Sequence, residues 1–191
     1  MRCSEDSLYN IAWLMGDATH NLYSLATWKN GLPFKKIDLA PAGLPVIKIA
    51  ELNNGITGST SYTNGVYSSD VYMTKGDYAF SWSGNPQTSI DIFKYRLPDG
   101  WLNQHIFKVT PDESIVDRSF FFFLMKALKP VFSAIATNKQ TTGLGHITIA
   151  DMKRMMVPIP SLNTQRRIAA VLGHIQSEIE NLNRTNGYLT A

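Results

Sequence analysis

The chain ends in a run whose apolar spacing limits what the rest can be. Ile168, Leu172, Ile175, Ile179 and Leu182 are followed at the same spacing by Asn186 and Leu189. The steps are 4, 3, 4, 3, 4 and 3 residues. They average the 3.5 residues of a coiled-coil seam, not the wider stripe of a helix lying on a globular core. A Pro158-Ile159-Pro160 stop and a polar start, Ser161 to Arg167, set the run apart from what precedes it. A helix with such a seam needs a partner helix.

The remaining length suits one folded domain. At 191 residues and 44% hydrophobic content the chain can bury a sizeable core. A single Cys3 rules out an internal disulfide framework and fits a reducing, cytoplasmic setting. Met1 to Asp6 is polar and acidic with no apolar stretch behind it, so no leader is expected. Phe120 to Ala136 is apolar but broken by Lys126, Lys129 and Pro130, so no membrane association is expected either. Net charge is only +3, unevenly spread: from Arg118 to Arg167 there are eight bases and one acid, Asp151. Such an excess is what a polyanion-binding face needs, and it is also what a solvated helix face looks like.

Turn clusters and periodicity predict a β-rich α+β globule with a protruding helix. Residues 7–28 read as mixed, anchored by Trp13 and Trp28. Leu44 to Leu52 reads as a strand and Asn53 to Gly65 as a long loop. Tyr78 to Ser83 alternates large aromatics with small residues, predicting a strand with one packed face and one open to close approach. Ser89 to Tyr95 and Trp101 to Val109 read as further strands. Asp112 and Glu113 introduce a helix over Ser114 to Leu128, continuing past Pro130 to Ala136. Ile147 to Ile149 and Met155 to Ile159 are expected as short strands around a single helical turn, Ala150 to Arg154. The domain boundary falls at residue 160, with a recognition-sized domain over 1–160 and the helix over 161–191.

Catalytic patterns are missing from the sequence. The histidines His20, His105, His146 and His174 show no ligand spacing, and one cysteine gives no zinc pattern. No phosphate-cradling glycine loop and no nucleophile elbow occur. No catalytic, metal or cofactor-binding residue is therefore assigned, and no cofactor is expected. A loose PD…DxK pattern, Asp112 with Asp151 and Lys153, leaves a metal-dependent nuclease as the alternative. The stronger candidate is the glycine-flanked polar loop with Lys139, Gln140, Thr141, Thr142 and His146. Gln pairs with adenine, Thr offers a hydroxyl and a methyl group, and Lys serves guanine or phosphate. Ser83 and Asn85, beside Trp82, are small polar groups able to face a duplex.

Taken in order, five segments resemble a target recognition domain of a type I restriction-modification specificity subunit. They are Gly43 to Leu52, Lys75 to Gly84, Leu102 to Val109, Thr142 to Thr148, and Val157 to Ala169. The resemblance implies a non-catalytic subunit that reads one half of a bipartite site in double-stranded DNA. Antiparallel helices then hold two recognition domains apart, and the subunit positions adenine-methylating modification subunits and recruits restriction subunits that translocate and cleave. It also implies that Trp82, Gly84, Gln104 and His105 serve the strand frame. This chain departs from the usual pattern in having one domain and one helix. Ile168 to Leu189 is 22 residues, roughly 33 Å of helix, about one turn of duplex.

Overall fold

The computed structural model describes residues 18–140 and 143–189, with side chains through residue 186. Cys3 and Trp13 lie outside the described residues. The chain begins with β1 (Ala18–Asn21), a 3-10 turn, β2 (Ala26–Asn30), β3 (Leu44–Ile47) and α1 (Ile49–Asn54). Then follow β4 (Tyr62–Thr63), β5 (Tyr72–Met73), β6 (Tyr78–Ser81), β7 (Ser83–Gly84), β8 (Asp91–Lys94), β9 (Gly100–Leu102) and β10 (Ile106–Pro111). The C-terminal part holds α2 (Arg118–Ala127), α3 (Lys129–Asn138), β11 (Gly145–His146), α4 (Ile149–Arg154), β12 (Met156–Ile159) and the long α5 (Leu162–Leu189). The architecture is mixed α and β, with several small sheets and a long terminal helix.

The central sheet has the order β2-β10-β6-β8 and is antiparallel throughout. A second sheet, β4-β3-β9-β5, contains one parallel pair, β3 with β9. The central sheet is covered on both faces. Tyr78 and Phe80 join Trp28, Phe121 and Phe132 in the larger core, against α2 and α3. Ala79 points the other way, into a core with Ile47, Met73, Trp101 and Ile106. All four β6 residues are therefore buried. The expected open face is instead the face against which the second sheet packs, and the small Ala79 lets it approach.

Several expected boundaries move, each for a local reason. The strand from Leu44 ends at Ile47 because the Lys48 N–H donates to Glu51 Oε2 at 3.0 Å, starting α1. Trp101 to Val109 is two strands in different sheets, broken where His105 adopts φ +72°. The first helix starts at Arg118, since Asp117 accepts from the backbones of Ser119 and Phe120, both at 3.0 Å. Asp112 is occupied with a turn at Ser114. Pro130 sits in the first turn of α3, where a missing N–H is harmless, and the two helices meet at 47°. Ile149 begins a helix and not a strand, because Thr148 and Asp151 cap it reciprocally. Among the described residues no single helix is long and apolar enough to cross a membrane.

One side chain fastens α5 to the domain. Gln165 is fully buried. Its Oε1 accepts from the Asp117 N–H at 2.7 Å, and its Nε2 donates to the carbonyls of Ile115 at 3.0 Å and Pro160 at 2.7 Å. Ala169, one turn on, is buried in the larger core beside α2. Arg96 grips Glu180 with two hydrogen bonds of 2.9 and 3.3 Å, but both side chains are exposed and add little. The seam lies on another face: Ile168, Leu172, Ile175, Ile179 and Leu182 remain 37% to 61% exposed.

Gln165→Ala strands a buried amide donor and two carbonyls. It is expected to lower unfolding stability by about 2–4 kcal/mol in urea titrations. Ile175→Ala on the seam should change the stability of the isolated chain by less than about 0.5 kcal/mol.

Candidate nucleic-acid interface

Two polar segments some sixty residues apart in sequence meet in space. β7 and β11 pair antiparallel, with Gly84 opposite Gly145 and Ser83 opposite His146. The Ile147 N–H continues the ladder onto the Trp82 carbonyl at 2.8 Å. Glycine is needed at 145 because a Cβ there would stand 2.3 Å from the carbonyl oxygen of Ala136, at the end of α3. The result is a short ribbon with Asn85, Gln140 and His146 exposed and Ser83 half-exposed.

The neighbouring groups are already partly engaged. Asn85 Oδ1 accepts from the backbones of Gln87 at 2.9 Å and Thr88 at 3.3 Å, leaving the amide NH2 free for another acceptor. Gln140 Nε2 donates to the Gly143 carbonyl at 2.8 Å. Thr141 and Thr142 lie outside the described residues. Lys139 does not project from the loop. Its Nζ pairs with Asp151, which also accepts from Thr148 Oγ1 at 2.6 Å and Arg154 at 3.0 Å. Burial pushes the Asp151 carboxyl up, but the hydrogen bonds from Lys139, Thr148 and Arg154 outweigh it and hold the group well below the usual carboxylate range. Lys139 thus ties the polar loop to the start of α4.

The basic stretch is largely matched inside the fold. Lys126 and Lys129 clamp the buried Asp91 at 3.0 and 2.7 Å. Lys139 and Arg154 clamp Asp151, and Arg166 lies 4.0 Å from Asp117. Arg118 donates to the Gly76 carbonyl and stacks over Tyr78, while Lys153 sits over Tyr23. Seven of the eight bases therefore have internal partners. The sequence count missed this because Asp91, Asp117, Gly76 and Tyr23 all lie outside the stretch.

Asp117 stands one residue before the stretch, so its charge is felt there too. The nuclease trio is not assembled. Asp112 is held by Ser114, Asp151 by two cations and Thr148, and Lys153 is turned to Tyr23. No group of three or more His, Cys, Asp or Glu side chains able to hold a metal occurs among the described residues.

Three polar residues stand beside the ribbon that sequence patterns did not single out as contacts. Trp82 Nε1 donates to Asn30 Oδ1 at 2.9 Å, and the Trp82 ring lies 5.0 Å from the exposed His105 ring. Gln104 is exposed on the same turn as His105. Only the assembled sheet brings Asn30 to this edge, so no sequence signal could have found it.

A mixed domain trailed by a long helix is the fold seen in solved type I restriction-modification specificity subunits. The S subunit from M. genitalium superposes with a TM-score of 0.61 at 20% identity, covering 86% of this chain and 40% of that one. The HsdS subunit from Thermoanaerobacter tengcongensis gives 0.62 at 18% identity, covering 89% and 40%. The type I restriction modification DNA specificity domain model matches residues 19–188, and the chain belongs to that family. The specificity subunit of the EcoBI type I restriction enzyme of Escherichia coli is 24% identical over 159 residues. The match spans 82% of this chain but only 32% of that relative.

Asp151→Asn should cost about 3 kcal/mol at neutral pH, by leaving Lys139 and Arg154 without their counter-charge. The folded-state carboxyl is depressed, so its stabilisation is present above the ordinary carboxylate range and fades as pH falls through and below it. Denaturation curves of the wild type and the variant should converge in acid.

Proposed function

We propose that this chain is a non-catalytic module that reads one half of a bipartite site in double-stranded DNA, as part of a type I restriction-modification specificity subunit. The observation that carries the proposal is the β7–β11 ribbon. It sets Ser83, Asn85, Gln140 and His146 together at an exposed edge. Hydroxyl, amide and imidazole groups supply the donors and acceptors that match base edges, and a two-stranded ribbon fits the major groove. Residues 82–85 and 143–146 contain no carboxylate to repel phosphate. Thr141 and Thr142 are further candidate base contacts, and Lys139 acts through its ion pair with Asp151.

The exposed seam of α5 pairs with a second helix, from an identical chain or from a second recognition domain. The 28 residues of α5 span roughly 42 Å, and the pair sets the distance between the two half-sites. The recognition domain covers residues 1–160 and the spacer helix 161–191. The assembly positions adenine-methylating subunits and recruits restriction subunits in the cytoplasm, and recognition itself uses no cofactor.

The chain, assembled with its modification subunits, should enrich one half-site motif from a random duplex library, with an affinity that falls as salt rises. Gln140→Ala and His146→Ala should each relax preference at one or two base pairs, by about 1–3 kcal/mol. Salt-insensitive binding, or no enrichment by the assembled complex, would sink the proposal. A double change, Ile175→Asp with Ile179→Asp, should abolish helix pairing in sedimentation experiments while leaving the domain folded.

A further inference from the structure

We infer that Asn30, Gln104 and His105 are further specificity-determining residues, sharing one DNA-reading face with the β7–β11 ribbon, and that Trp82 is the positioning residue that holds them there. The inference rests on the proposed duplex recognition and extends it to residues on two other segments.

Trp82 links Asn30, His105 and the strand that carries His146. Its N–H donates to the His105 carbonyl at 3.1 Å, and its own carbonyl accepts from Ile147 at 2.8 Å, next to His146. Its indole N–H reaches Asn30 Oδ1 at 2.9 Å, and its ring lies against His105. Since Asn30 spends its oxygen on the indole, the amide orientation is fixed and the NH2 is left to face outward. The turn bearing Gln104 is equally fixed. The Gln104 N–H donates to the Leu32 carbonyl at 2.8 Å, and a Cβ on Gly31 would come within 2.1 Å of the Asn103 oxygen, so the two segments are in close contact. The Gln104 side-chain amide makes no hydrogen bond among the described residues, and both it and His105 are exposed.

His105 occupies a left-handed backbone position, φ +72°, that glycine or asparagine would fill with less strain. The turn requires that backbone shape but not an imidazole. Strained, exposed and polar residues of this kind concentrate where a protein meets its ligand. The segments 30–32, 82–85, 103–105 and 143–146 hold asparagine, glutamine, serine and histidine but no carboxylate. The Gln104 amide keeps a donor and an acceptor together and can discriminate adenine, the Asn30 NH2 can donate to a base acceptor, and an imidazole N–H can donate to guanine.

Selection from a random duplex library tests this, using the full chain assembled with its modification subunits. His105→Gly relieves the backbone, so the variant should fold at least as well as the wild type. It and Gln104→Ala should each lose tenfold or more preference at a base pair other than those affected by His146→Ala. Trp82→Phe keeps an aromatic ring but loses the indole N–H. It should blur preference at the positions served by Asn30 and His105 without changing the salt dependence of binding. If the wild type selects a motif and the folded His105→Gly and Gln104→Ala variants select it with unchanged preference, this inference is overturned while the ribbon proposal stands. If the wild-type assembly selects nothing, duplex recognition fails and the inference falls with it.

Discussion

The geometry of the molecule depends on a single buried amide. Gln165 satisfies a donor of Asp117 and the carbonyls of Ile115 and Pro160, so it joins the end of the last strand, the start of α2 and the first turn of α5. Asp117 is also the N-cap of α2. One hydrogen-bonded node therefore fixes where the helix leaves the domain. The proposed spacer role requires a constant angle between helix and domain, and three bonds to a fully buried side chain hold that angle more securely than the exposed Arg96–Glu180 pair. Ala169 packs into the core without using the seam, which stays available for another helix.

Electrostatics are arranged on the same plan. Asp91 and Asp151 each gather two cations and hold together helices and loops that hydrophobic packing alone would leave loosely registered. The exposed edge around Trp82 carries neutral polar groups instead. Positive charge steers and anchors on DNA, whereas amides, hydroxyls and imidazoles tell one base from another. Lys126, Lys129 and Lys139 are engaged inside the fold while amides are displayed at this edge, an arrangement that suits the proposed discrimination between bases.

Much of this organisation was legible in the sequence. The 4-3 spacing after Pro160 revealed the terminal helix, the Gly-Asn-Pro and Pro-Asp-Gly clusters located turns, and Trp28, Phe80 and the aromatic run after Arg118 identified the core. What stayed hidden depended on distant partners. Nothing local says that Ser83 pairs with His146, that Lys126 and Lys129 share Asp91, or that Asn30 reaches the Trp82 indole. Other misses were local but carried no strong signal. A histidine with positive φ splits what reads as one strand, and Lys48 with Glu51 turns a β-branched run into a helix start. Gln165 looked like one polar residue among several, because burial of an amide shows only in the assembled fold.

The central claim is that the face around Trp82 and the β7–β11 ribbon reads base edges while α5 sets its distance from a second reader. A structure of the assembled complex on its selected duplex tests this most directly. The account predicts that residues 83–85 and 143–146 enter the major groove, with the seam of α5 buried against a second helix and running along the unread spacer. A complex in which that ribbon faces solvent, or in which another face of the domain meets the DNA, would contradict it.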